Sequence, residues 1–145
     1  MKVFITGNAG FIGYHTANRF LEMGWEVQGL DNFNNYYDSS LKRARADLLH
    51  KGGVIVRDCD LNQVSLAMSM FDKVPDLVVH LAASAGIRHS LANPLESIEN
   101  NIVNTQKLIN HCELLGVKNI IYASTSAVMN GNPLPWNEHD PIGVQ

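Results

Sequence analysis

Two rhythms of apolar and polar residues take turns along this chain. Short apolar runs at residues 2–6, 26–30, 53–57, 76–81 and 118–123 have the length and β-branched content of strands. The stretches near 11–23, 39–50, 62–72 and 94–115 carry apolar residues at helical spacing and predict helices. The last of these bears Leu95, Ile98, Ile102, Leu108, Ile109, Cys112 and Leu115, a stripe that suits core or a helix-pairing face. Gly24 and Gly116 stand where two helices must stop and can take the left-handed cap position, and Pro94 suits a first helical turn. Strands alternating with helices predict a parallel sheet covered on both faces. Right-handed crossovers then give the strand order 3-2-1-4-5, with a ligand crevice at the carboxyl ends of strands 1 and 4. No repeat, low-complexity tract or linker interrupts the pattern, and 145 residues supply one core, so a single domain over 1–145 is expected.

The first strand feeds directly into Thr6-Gly7-Asn8-Ala9-Gly10-Phe11-Ile12-Gly13 and a helix start. Glycines there let the backbone turn tightly and approach a ligand, and the N–H groups of the helix N-terminus then face an anion such as a pyrophosphate. The spacing is G-x-x-G-x-x-G, which by itself is also met in plain structural turns. The second strand ends in Asp31, about eighteen residues on, where a carboxylate can accept from ribose hydroxyls and repel a 2′-phosphate. Together the two features point to a dinucleotide, with NAD favoured over NADP.

Composition narrows the remaining classes. The chain is 46% hydrophobic and 17% charged, with formal net charge −3. Its one basic run, Lys42-Arg43-Ala44-Arg45, reads as a solvated helix face rather than a nucleic-acid patch. Cys59 and Cys112 match no metal or C-x-x-C spacing and read as reduced, buried thiols. His15, His50, His80, His89, His111 and His139 form no ligand-spaced cluster and read as surface or satisfied core residues, so no metal is expected. Without a membrane-spanning run or a signal-peptide pattern, the expectation is a cytoplasmic protein with no nucleic-acid or membrane partner.

Several motifs in order give a more specific picture: the glycine turn, Asp31-Asn32-Phe33-Asn34-Asn35-Tyr36-Tyr37-Asp38, Asp60-Leu61, His80-Leu81-Ala82-Ala83, and Tyr122-Ala123-Ser124-Thr125-Ser126. Over nearly its whole length the chain resembles the extended short-chain dehydrogenase/reductase family, and within it the NAD-dependent nucleotide-sugar epimerases and dehydratases. Asn35-Tyr36-Tyr37-Asp38 with Leu41-Lys42-Arg43-Ala44-Arg45, and Ala85-Gly86-Ile87-Arg88, most resemble the UDP-glucuronate 4-epimerases. The resemblance implies a Rossmann-type doubly wound α/β sheet. It makes Gly7, Gly10 and Gly13 the pyrophosphate turn of NAD, with Phe11 and Ile12 donating backbone N–H groups. Asp31, Asn32 and Asn35 would hold the adenosine ribose region. Asp60 would accept from the adenine amino group, or equally serve as a helix N-cap, and Leu61 would line the ring pocket. Leu81, Ala82 and Ala83 would let backbone approach the dinucleotide, and Asn100 and Asn101 lie where an asparagine buttresses the site. Arg88 would face a substrate phosphate or carboxylate, or simply solvent.

In the family, chemistry needs a Ser or Thr, a Tyr as general base, and a Lys that lowers the tyrosine pKa. Thr125 takes the hydroxyl position and Ser126 stands beside it for substrate. None of Tyr14, Tyr36, Tyr37 and Tyr122 is followed by Lys four residues on. The Y-x-x-x-K pattern would begin roughly five residues past Gln145. Also missing are the last strands and the sugar-binding lobe, so the fold is expected to be incomplete on its C-terminal side and not competent alone. Asn104 stands where the family has Gly, and Met129-Asn130 where it has Tyr-Gly. The fifth strand then becomes an open edge, a candidate homodimer surface unless the tail from residue 131 covers it. A UDP-sugar would be the partner once the C-terminal lobe is supplied. Two other readings stand beside this one: a non-catalytic nucleotide-binding or interaction module, and a fragment of a related dehydratase or reductase.

Overall fold

The computed structural model describes residues 1–69 and 72–142. Five strands, β1 (Lys2–Thr6), β2 (Glu26–Asp31), β3 (Ile55–Asp58), β4 (Leu77–His80) and β5 (Ile120–Tyr122), form one sheet in the order β3-β2-β1-β4-β5. Every pairing is parallel, and Thr6 at the end of β1 stands in register with Leu30 on one side and His80 on the other. The sheet is the Rossmann-like α/β arrangement that the alternation of periods predicts.

Side chains alternate across a strand, so each strand serves two cores. Val3, Ile5 and Val27 point to one face with Ala17, Ala46 and Leu49, from helices α1 (Phe11–Glu22) and α2 (Ser39–Lys51). Phe4, Leu30 and Val78 point to the other, against Val64, Ala67 and Met68 of α3 (Val64–Ser69), and against residues 108 and 112 of a later helix. The two clusters bury long aliphatic side chains from both ends of the chain, which is what holds distant segments in one sheet.

Helix ends follow the local chemistry. Gly24 and Gly116 take positive φ after their helices, and Pro94 occupies a first turn. The expected helix over 62–72 begins with a 3₁₀ turn, Leu61–Gln63, before α3, and its residues 70 and 71 lie outside the described ones. A short helix, α4 (Ile87–Ala92), was not anticipated. Residues 94–115 are helical as expected but in three pieces: α5 (Pro94–Ile98), a π-helical turn (Glu99–Val103) and α6 (Asn104–Leu115).

Among the described residues β5 pairs with β4 alone, and all three of its residues are exposed. The tail through Ile142 does not cover it. Instead that tail bonds to itself, Asn132 Nδ2 donating to the Pro141 carbonyl and Trp136 Nε1 to the Asn132 carbonyl. Among the described residues, no helix is long and apolar enough to cross a membrane. Cys112 is buried, and burial pushes its thiol up to about 11. Cys59 is only partly buried, which corrects the expectation of two buried thiols.

Candidate dinucleotide site

The chain leaves β1 through Gly7, whose φ of +73° is a conformation that side chains other than glycine resist. The turn is tied to β2, because Gly7 and Asn8 both donate N–H groups to the Leu30 carbonyl, at 2.7 and 3.3 Å. Gly13 faces it from the first helical turn, so closely that a Cβ there would stand 2.0 Å from the Gly7 carbonyl oxygen. Turn, helix and strand ends are thus packed backbone against backbone. The N-cap of α1 is Gly10, which has no side chain to cap the helix. The orphan N–H groups of the first turn are therefore left for a ligand, with the positive end of the helix dipole behind them.

A cavity of about 480 Å³ opens above these strand ends. Its walls include Gly7, Gly10, Phe11, Ile12 and Gly13 from the turn, and Asp31, Asn32 and Asn35 after β2. Leu61, after β3, lines the same side as Asp31, and Leu81, Ala82, Ala83, Asn100 and Ala123 are among the walls on the side of β4 and β5. The structure thus brings together expected site residues from five separate segments, 7–13, 31–35, 61, 81–83 and 100. Asp60 is not among the wall residues. Its Oδ1 accepts from the Asn62 N–H at 3.0 Å, the helix-cap alternative, while Oδ2 accepts from Asn32 Nδ2 at 2.8 Å and so fixes a wall residue. Thr125, Ser126 and Arg88 are exposed and stand outside the walls. Thr125 Oγ1 accepts from the Ala127 N–H at 3.2 Å as the cap of a 3₁₀ turn, Ser126–Met129.

Lys42 is the residue the sequence reading missed. Its side chain is only 8% exposed, and its Nζ donates to Asp31 Oδ1 at 3.3 Å and Asn34 Oδ1 at 2.9 Å. The same nitrogen lies 5.3 Å from the Tyr37 ring centre. This corrects the reading of the run as a solvated face at Lys42, while Arg43 and Ala44 are exposed as expected. Lys42, Ala46 and Leu49 are all buried, and their i, i+4, i+7 spacing is the signal that could have found it. The other two cations lie near aromatic rings. The Arg43 guanidinium lies 4.7 Å from the Phe33 ring centre, and that of Arg45 lies 5.8 Å from Phe11 and donates to Tyr37 Oη. Asp31 itself is buried, its Oδ1 also accepting from the Phe33 N–H at 2.9 Å.

Opposite, the π-helical turn brings two adjacent asparagines to one residue. Asn101 Oδ1 accepts from the Ser84 N–H at 2.7 Å and its Nδ2 donates to the Ser84 carbonyl at 2.9 Å. Asn100 Nδ2 donates to Ser84 Oγ at 2.8 Å. Ser84 is a wall residue, so the pair buttresses the cavity through it. Asn104, in the position the family gives to Gly, is buried and accepts from Lys107 Nζ at 2.9 Å.

A parallel Rossmann-type sheet with a glycine turn, an uncapped helix N-terminus and a carboxylate at the end of the second strand defines a nucleotide-binding class. The NAD dependent epimerase/dehydratase family matches residues 3–142, and the chain belongs to it. It is 42% identical over 142 residues to UDP-glucuronate 4-epimerase 3 of Arabidopsis thaliana, covering 96% of this chain and 33% of the relative. It is 39% identical to protein CapI of Staphylococcus aureus, covering 98% of this chain and 43% of that protein. Among solved structures, a UDP-glucuronic acid 4-epimerase from Bacillus cereus in complex with UDP-glucuronic acid and NAD aligns with TM-score 0.84. The identity is 28%, over 98% of this chain and 46% of that one. The chain spans about a third of the length of the plant relatives it matches.

Proposed function

We propose that this chain is the NAD-binding portion of a nucleotide-sugar 4-epimerase, with a UDP-hexose or UDP-glucuronate as the sugar partner once a C-terminal lobe is supplied. A cytoplasmic location goes with that reading. The observation that carries it is the backbone cradle at Gly7 and Gly13, which any Cβ would fill, beneath an uncapped helix N-terminus. An elongated anion is what such a cradle fits. Bound NAD would supply the acceptor for hydride. The residues suited to hold it are Phe11 and Ile12 by their N–H groups, beside the Gly7, Gly10 and Gly13 turn, Asp31 with Asn32 and Asn35 near the ribose, and Leu61 by the adenine. Thr125 and Ser126 are assigned to the sugar, and Arg88 to its phosphate or carboxylate. The Asp31 carboxylate favours a free 2′-hydroxyl, while Lys42 removes part of its repulsion toward a 2′-phosphate.

Titration calorimetry with NAD, ADP-ribose and NADP tests the reading. NAD and ADP-ribose should bind in the micromolar to millimolar range and raise the melting temperature at saturation. No heat with millimolar NAD on folded protein removes the proposal, and equal affinity for NAD and NADP removes the role given to Asp31.

A further inference from the structure

His80 ends β4 and is 3% exposed, yet both its ring nitrogens have partners. Nδ1 lies 2.7 Å from Thr6 Oγ1 and Nε2 lies 2.9 Å from Thr105 Oγ1. One ring therefore joins the end of β1 to α6. Thr6 Oγ1 has two further partners at 3.1 Å: the Ala82 N–H, and the Leu81 N–H, which it shares with the Thr6 carbonyl at 3.2 Å. A hydroxyl oxygen offers two lone pairs and one proton. With both lone pairs taken, only the O–H remains for the histidine, so Nδ1 must be the bare, accepting nitrogen. A neutral ring then carries its proton on Nε2 and donates it to Thr105. A protonated ring would turn an N–H toward an oxygen with no lone pair to spare. Burial, which pushes the His80 pKa down to about 4, agrees with a neutral ring. Tyr122 of β5 stacks on it, centres 5.4 Å apart.

The backbone held by Thr6 is the segment the glycine turn approaches. A Cβ on Gly7 would meet the Ala82 nitrogen at 3.0 Å, and Leu81 and Ala82 are both walls of the cavity. We propose that His80 is a positioning residue for the dinucleotide site: as the Nε2–H tautomer it orients the Thr6 hydroxyl so that the oxygen clamps the Leu81–Ala82 backbone beside the glycine turn. The clamp stands on the geometry alone, and only its service to a cofactor rests on the function proposed above.

Long-range ¹H–¹⁵N NMR of the histidine rings at pH 7 tests the clamp directly. The expected pattern for His80 is a protonated Nε2, slow to exchange, and a bare Nδ1. An Nδ1–H tautomer or a charged ring overturns the proposal. Two variants supply the second arm. His80→Phe keeps aromatic volume but offers Thr6 no acceptor, and His80→Asn restores an acceptor near the place of Nδ1. Exchange of the Ala82 amide should quicken about tenfold in the Phe variant, with NAD affinity falling about as much, and the Asn variant should recover most of both. Better protection and binding in Phe than in Asn would mean that the ring only packs, and overturns the proposal. If the unchanged chain binds no NAD, the functional reading fails while tautomer and amide exchange still decide the clamp. If the Phe variant does not fold, the tautomer decides it.

Discussion

The two sides of the sheet are built to different degrees of closure. On the side of β2 and α2, buried Asp31 and Lys42 and half-buried Asn34 form a polar knot whose members hold one another beside the cavity. On the side of β5, Thr125 and Ser126 are exposed and Ile120, Ile121 and Tyr122 face solvent along an edge paired once. The polar groups suited to the ribose hold one another across the chain, whereas Thr125, assigned to the sugar, bonds only locally, to the Ala127 N–H two residues on, among the contacts of the described residues. The proposed function predicts that binding and chemistry separate here, and each half of that contrast can be tested.

The largest effect should be on turnover. The chain by itself should not invert UDP-glucuronate or UDP-galactose even when it holds NAD, because no tyrosine in it is followed by Lys four residues on. Loss of general-base catalysis costs about 10²–10⁴-fold, and lost orientation of the sugar adds to that. Adding a C-terminal segment bearing Y-x-x-x-K should restore inversion as followed by NMR, and Thr125→Ala should then lower it. Inversion by the purified chain, abolished by Thr125→Ala, breaks the contrast outright.

Next comes the polar knot. Lys42→Met leaves the buried Asp31 carboxylate without its cation and should destabilise the fold by about 3 kcal/mol in urea unfolding. Pairing it with Asp31→Asn should recover part of that loss, a coupling that a solvated lysine would not show.

A smaller effect is set by His80. Its pKa is about 4 in the fold against an ordinary 6.5, so the unfolded chain binds the proton more readily. The stability that follows is present above pH 6.5 and is lost as pH falls from 6.5 through about 4. By pH 5 the loss should reach about 2 kcal/mol in denaturant titrations, and His80→Asn should flatten that part of the curve. The smallest effect belongs to the open edge. Ile121 is 54% exposed, so Ile121→Lys should change stability by less than about 0.5 kcal/mol. If copies associate through β5, sedimentation of that variant should shift toward monomer.

The strand order, the glycine turn and Asp31 were legible because each depends on near neighbours in the chain. Strand and helix periods differ, glycine is required where backbone meets backbone, and a right-handed crossover leaves few topologies. The short helix α4 was missed because six residues cannot display an amphipathic period. Lys42 was missed because charge outweighed spacing: a basic run looks solvated until the helix turns one of its members inward.

By itself, then, the amino-acid order determined the alternation of elements, their parallel pairing and the segments that converge on the crevice, since all of these follow from periodicity and local backbone chemistry. Only the tertiary structure decided which polar groups meet there. That Lys42 reaches Asp31, that Asp60 fixes Asn32, and that Thr6, His80 and Thr105 share one chain of hydrogen bonds are pairings between residues 11 to 74 positions apart. Such partners are chosen by the packing of strands and helices, because a buried polar atom takes whichever complementary group the fold brings within reach.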